Sequence, residues 1–179
     1  MRCWLIVLAG CSASVDGGGS GAVDAAAEPD ALIDDAAPPI DARACAGGDA
    51  RAPVSDGSCL VRFDAAKTFA DASAACVAFG AKLAVINSAA RDQVATTLAG
   101  ATNLFIGLSD QAAETTFVWA DGTALGYKNF YPGEPNDGNG DFPEDCIIVN
   151  GARGGQWDDR PCATQIAGPP GIYPYFCLF

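Results

Sequence analysis

Glu134-Pro135-Asn136, Glu144-Asp145-Cys146, Trp157-Asp158-Asp159 and Cys162 follow one another within a single stretch of the chain. Glu134, Asn136, Glu144, Asp158 and Asp159 are hard oxygen donors crowded beside two cysteines. Ca²⁺ takes about six to eight oxygens at roughly 2.3–2.6 Å, and these five side chains with a carbonyl and water meet that demand. Four carboxylates so close together repel, which raises their pKa values unless a cation sits among them. The competing reading is a solvated acidic loop.

Composition narrows the chemistry. The 179 residues carry a formal charge of −12, with a pI near 4.1, against a nucleic-acid partner, since phosphate backbones are bound by clustered Lys and Arg. The sequence has no histidine, so Ser-His-Asp and Cys-His catalysis, imidazole zinc sites and a histidine pH switch are all excluded. Paired carboxylates can hydrolyse glycosides, but Glu134 and Glu144 are better read as ligands of one metal, and the chain as a binding module and not an enzyme.

Working outward to the N-terminus, residues 1–10 hold Arg2 and the apolar run Cys3-Trp4-Leu5-Ile6-Val7-Leu8, too short to span a bilayer. Leu8-Ala9-Gly10-Cys11 resembles a bacterial lipobox, which implies cleavage before Cys11 and a lipid on it; the alternative is an ordinary secretory leader. Residues 11–44 turn to Ala, Gly, Asp and Pro without an aromatic, and such a segment cannot offset its ordering entropy by burial. We read a self-repelling acidic tether with a reach of roughly 30 Å, and one domain over residues 45–179. The expected location is exported and lipid-anchored, at a bacterial outer membrane or cell surface, with the anchor as the only membrane contact.

Cys45, Cys59, Cys76, Cys146, Cys162 and Cys177 remain once Cys3 and Cys11 are set aside. An even set in an exported domain implies disulfides, with fifteen pairings open from the sequence. The coarse pattern is α+β. Ser58–Phe63 alternates as a strand, and Thr68 caps a helix whose inward face is Phe69, Ala72, Cys76 and Phe79, stopped at Gly80. Lys82–Ile86 is a short strand. Ser88 caps a second helix carrying Val94 and Leu98 and ended by Gly100. Leu104–Leu108, Phe117–Trp119, Cys146–Val149 and Tyr175–Phe179 are later strands, Tyr173 to Tyr175 a turn, Gly151 to Gly155 with Arg153 a hairpin connection, and Gly126 to Asp145 a long functional loop. Trp119 and Trp157 read as core aromatics.

Together the Thr-Phe-x-x-Ala helix ending at Cys76, Phe105-Ile106-Gly107-Leu108, Phe117-Val118-Trp119-x-Asp121-Gly122, Glu-Pro-Asn, Glu-Asp-Cys, Trp-Asp-Asp and Cys177 resemble the C-type lectin-like domain, over roughly Cys45 to Phe179. The resemblance implies two helices, short antiparallel sheets and a long calcium-binding loop, with Cys76 paired to Cys177, Cys146 to Cys162, and Cys45 to Cys59 as in the long form of the domain. It implies a cis Pro135, and a principal Ca²⁺ site of Glu134, Asn136, Glu144, Asp158 and Asp159. An auxiliary Ca²⁺ site would use Asp110, Glu114, Asp137 and Asp145. In such domains two sugar hydroxyls complete the metal shell, so Glu134, Asn136, Glu144 and Asp158 would also contact glycans or glycoconjugates. Glu-Pro-Asn is associated with mannose-, fucose- and GlcNAc-type ligands, because Glu134 only accepts hydrogen bonds while Asn136 can donate. The chain departs from the family pattern at Asp158, commonly Asn, at Phe130, often Trp, and in a longer loop between Asn136 and Glu144. The alternative function is a calcium-stabilised lectin-like fold that binds a protein or another non-sugar ligand.

Overall fold

The computed structural model describes residues 45–140, 142–164 and 170–179. The leader, the tether and Cys11 lie outside the described residues. No helix among the described residues is long and apolar enough to cross a membrane.

Strands β1 (Ala50–Pro53) and β2 (Cys59–Lys67) precede helix α1 (Phe69–Ala78); β3 (Lys82–Leu83) leads to helix α2 (Ala89–Ala99). The chain continues through β4 (Leu104–Ser109), β5 (Val118–Trp119), β6 (Cys146–Val149), β7 (Trp157–Arg160) and β8 (Tyr173–Leu178). These strands form one sheet in the order β1-β2-β8-β4-β6-β7, with β3 on β8 and β5 on β4. The fold is α+β, as expected, and its pairings are antiparallel except where β4 meets β8 in parallel at Phe105 and Tyr175.

Side chains alternate across a strand, and the sheet uses both faces. Leu104, Ile106 and Leu108 of β4 join Ile147 and Val149 of β6, Trp157 and Phe176 in one buried cluster. Phe105 and Ile148 point the other way, to Ala72, Cys76, Leu83 and Cys177. Burying Trp157, Phe176 and the Leu and Ile side chains contributes about 1.5–3 kcal/mol each. Gly107 is needed where strands cross closely: a Cβ there would stand 2.5 Å from the Leu83 carbonyl oxygen.

Both helix starts follow the sequence. Thr68 Oγ1 accepts from Asp71 N at 3.2 Å, and Ser88 Oγ from Arg91 N at 3.3 Å, each satisfying an N-terminal amide. The bridges are Cys45–Cys59, Cys76–Cys177 and Cys146–Cys162, the pairing the resemblance implies. Cys76–Cys177 closes 101 residues of chain, which on the chain-entropy model contributes about 4–5 kcal/mol.

Several expectations are corrected. Tyr173 to Tyr175 is not a turn but the start of β8; Pro174 fits because the β2–β8 register shifts between Phe63 and Lys67, where no regular ladder donor is required. Phe79 is 36% exposed and packs edge-on to Phe63 and Phe179 at the rim. Only Lys82–Leu83 of the Lys82–Ile86 run pairs as strand, although Ala84 and Ile86 are buried. In α2 the innermost residues are Asp92, Ala95 and Ala99, with Val94 and Leu98 packed alongside.

Asp92, 7% exposed, accepts from Trp157 Nε1 at 2.9 Å, Asn129 Nδ2 at 2.7 Å and Tyr127 OH at 3.2 Å. It ties α2 to β7 and to the long loop. Removing the acceptor strands the buried indole N–H of Trp157 and the half-buried donors of Asn129 and Tyr127, so Asp92→Ala is expected to lower unfolding free energy by about 2–3 kcal/mol, and Asp92→Asn by about 1 kcal/mol. Urea denaturation of the three proteins checks this ranking.

Candidate metal centre

Strand β7 is the outer strand of the sheet, and an uncovered edge offers unpaired backbone groups to any passing chain. The long loop covers it. Trp157 N donates to Asn129 O at 2.7 Å and Tyr131 N to Trp157 O at 2.8 Å. The chain then turns through the cis Glu134–Pro135 bond, and Asn136 N and Asp137 N donate to Asp159 Oδ2 at 2.9 and 2.6 Å. Residues far apart in sequence are thereby brought onto one end of β7.

Glu134, Asp158 and Asp159 each present a carboxylate oxygen, mutually within 4.8 Å. Asp158 and Asp159 are 0% and 1% exposed. On Asp158, Oδ2 accepts from Arg160 Nη2 at 2.6 Å and Asn150 Nδ2 at 2.9 Å, and forms an ion pair with Arg153 Nη1 at 3.1 Å. Its Oδ1 is buried with no hydrogen-bond partner among the described residues, and so is Asp159 Oδ1. Each aspartate is saturated on one oxygen and bare on the other. A buried, unpaired polar oxygen costs about 1–3 kcal/mol, more when charged, and two of them within a carboxylate cluster suit a hard divalent cation.

The other expected residues surround these three. Asn136 Nδ2 donates to Glu134 Oε2. Glu144 stands outside the tight group: its Oε2 accepts from Gly138 N at 3.1 Å and its Oε1 is 3.6 Å from Arg160 Nη1.

Glu114, Asp137 and Asp145 form a second group with ligand oxygens within 4.8 Å. Asp110 borders it, with Oδ2 accepting from Thr115 N at 2.8 Å and Oδ1 buried without a partner among the described residues. Asp137 joins the two groups, since its backbone N–H serves Asp159 while its Oδ1 accepts from Glu144 N at 3.0 Å. A cleft of about 470 Å³ runs over this region, lined among others by Asp110, Glu114, Asn136, Asp137, Glu144 and Asp159.

Burial is the first cause that raises the carboxyl pKa values of Glu144, Asp145, Asp158 and Asp159, with neighbouring carboxylates adding to it. Asp110 is pushed up to about 6 by burial, then by Glu114 and Asp145. The repulsion read from the sequence is present but second to desolvation.

Arg153 and Arg160 are the residues the sequence reading missed at this site. Arg153, expected only in a hairpin connection, sits in the 3₁₀ turn Gly151–Arg153 between β6 and β7. Its Nη1 donates to Glu134 Oε1 at 2.7 Å, and its guanidinium lies 4.2 Å over the Tyr131 ring. The signal was available: the chain has only ten Lys and Arg, and two of them flank Trp157-Asp158-Asp159.

A carboxyl group with a raised folded-state pKa binds more protons folded than unfolded, so its effect on stability is lost as pH rises through that window. With chelator present, melting temperature is therefore expected to fall between pH 4 and pH 7, spanning the Asp110 value near 6. Millimolar Ca²⁺ at pH 7 is expected to reverse the fall. Thermal melts across pH with and without chelator measure both.

Residues 65–167 match the family model of the lectin C-type domain. Human tetranectin is 30% identical over 126 residues, covering 68% of this chain and 59% of its own length; the chain thus spans little more than half of that relative. Among solved structures, the cow C-type carbohydrate-recognition domain of CD23, crystallised in the presence of a GlcNAc2Man3 oligosaccharide, superposes with a TM-score of 0.59 at 30% identity, covering 68% of this chain and 87% of that one. A calcium-independent type II antifreeze protein superposes with a TM-score of 0.58 at 28% identity, covering 68% and 85%. The matched span, the three disulfides and the carboxylate-lined loop agree: this chain belongs to the C-type lectin domain family, a family of binding domains and not of enzymes.

Proposed function

We propose that the domain is a calcium-dependent carbohydrate-binding module, directed at mannose-, fucose- or GlcNAc-type hydroxyl pairs and held at a bacterial surface by a lipid on Cys11. The observation that carries the reading is the pair of bare, buried oxygens on Asp158 and Asp159 beside Glu134. Glu134, Asn136, Glu144, Asp158 and Asp159 would hold the principal Ca²⁺, and Asp110, Glu114, Asp137 and Asp145 the auxiliary one. C-type lectin domains generally bind Ca²⁺, and the ion would supply a Lewis-acidic centre for two adjacent sugar hydroxyls.

The chain's own residues set the orientation. Glu134 and Glu144 accept hydrogen bonds from sugar hydroxyls, while the Asn136 amide, now turned to Glu134, is the neutral donor of the loop. Charge balance supports one divalent ion: Glu134, Glu144, Asp158 and Asp159 stand against Arg153 and Arg160, leaving two negative charges. Affinity typical of extracellular modules is about 10⁻⁴–10⁻³ M; free Ca²⁺ at ten times its dissociation constant then adds about 1.4 kcal/mol to folding stability.

The second reading, a lectin-like fold that binds a protein or another non-sugar ligand, is favoured by Asp158, which replaces an amide donor with an acceptor, and by the superposition on a calcium-independent antifreeze protein.

Retention on immobilised mannose is expected in millimolar Ca²⁺ and to be lost in EGTA; retention indifferent to Ca²⁺ defeats the lectin reading. Asp159→Ala is expected to weaken Ca²⁺ binding at least 100-fold by calorimetric titration, because it removes a bare oxygen and the anchor of the Asn136 and Asp137 amides.

A further inference from the structure

Arg153 is placed by four separate features. Its backbone lies in the 3₁₀ turn between β6 and β7. Tyr131 covers one face of its guanidinium at 4.2 Å. Nη1 is held from two sides, by Glu134 Oε1 at 2.7 Å and Asp158 Oδ2 at 3.1 Å. The side chain is 32% exposed. A guanidinium carries five N–H donors in a rigid plane, and both acceptors here act on the same nitrogen. Nε and Nη2, which together form the side-on fork that matches a carboxylate, have no hydrogen-bond partner among the described residues.

Arg153 leaves both unpartnered aspartate oxygens to a cation and shares only Glu134, whose Oε2 accepts from Asn136 Nδ2. Arg153 uses Asp158 Oδ2 and Glu134 Oε1, whereas the bare oxygens are Oδ1 of Asp158 and Oδ1 of Asp159. The Nε–Nη2 edge therefore remains on a guanidinium whose Nη1 is already bonded to Glu134 and paired with Asp158, two carboxylates that would face a bound sugar. It stands where Asp158 itself has nothing to donate.

We propose that Arg153 is a specificity-determining ligand contact, its Nε and Nη2 edge receiving the carboxylate of an acidic sugar whose hydroxyl pair is held at the Glu134–Asp158–Asp159 centre. This rests on the cation-centred reading given above. The local charge permits it: with one divalent ion bound, four carboxylates, two guanidinium groups and the ion balance, so the sugar's carboxylate meets a neutral site bearing one directed positive edge. The adjoining Glu114–Asp137–Asp145 group, joined to this one through Asp137, carries negative charge that the auxiliary ion would offset, and more distant acids are screened beyond about 8 Å at physiological ionic strength. A uronate of mannose configuration is the chosen probe, because it keeps the ring hydroxyls of mannose and changes only C6 from alcohol to carboxylate.

The test titrates the full chain, in millimolar Ca²⁺, with the methyl glycosides of mannose and mannuronate, for the wild type, R153A and R153K. The wild type is expected to bind mannuronate five- to tenfold more tightly than mannose. R153A is expected to erase that preference, and R153K to fall between, keeping charge but not the fork. Ca²⁺ titration is the second readout: R153A removes a positive charge beside the cluster, so its Ca²⁺ affinity is expected to equal or exceed that of the wild type. An unchanged mannuronate preference in R153A overturns the proposal while leaving the lectin reading intact. So does a gain in binding of both sugars by R153A, which would make Arg153 a plug over the site. Binding of neither sugar by a calcium-loaded wild type overturns the lectin reading and the proposal together.

Discussion

An outer strand that needs covering organises the functional half of this domain. The loop from about Gly126 to Asp145 packs Tyr127 and Phe130 on the core and is pinned by backbone bonds between Asn129, Tyr131 and Trp157 and by the Asn136 and Asp137 amides on Asp159. The cover and the site are thus made by the same contacts. Closing the edge of β7 carries Glu134 and Asn136 to Asp158 and Asp159, and the cost of gathering carboxylates is met partly by Arg153 and Arg160 and partly left open on two bare oxygens.

The rest of the fold makes that closure rigid. Trp157 is wholly buried in the centre of one core and gives its ring N–H to Asp92 of α2, while the next two residues of β7 serve the carboxylate cluster. The Cys146–Cys162 bridge fastens the start of β6 to the chain beyond β7. Aromatic rings of Trp119, Tyr127 and Phe130 all pack against Trp157 within 6 Å, so the indole fixes the strand from which the site's two aspartates project.

Much of this was readable before folding was considered. Helix starts at Thr68 and Ser88 are local hydroxyl-to-amide bonds, and a sequence states them directly. The disulfide pairs and the cis Glu134–Pro135 bond came through family likeness and stand in the structure. Asp92 was invisible because an acid in the first turn of a helix is ordinary, and only tertiary packing turns it inward onto Trp157. Arg153 was hidden for the opposite reason: a residue between Ala152 and Gly154 in a turn gives no local hint that it reaches across to Glu134. Tyr173 to Tyr175 was misread since Pro174 is a strand breaker in isolation, and the register shift that admits it lies on β2.

Asp137 links the two carboxylate groups. Its amide belongs to Asp159 on one side, its side chain to Glu114 and Asp145 on the other, and its φ of 51° holds that divided posture. Whatever moves one flank of the residue moves the other, and by reciprocity the influence runs both ways. Two ions seated there would not titrate as strangers: each would alter the other's hold by the same factor, and the pair would fill as one coupled unit.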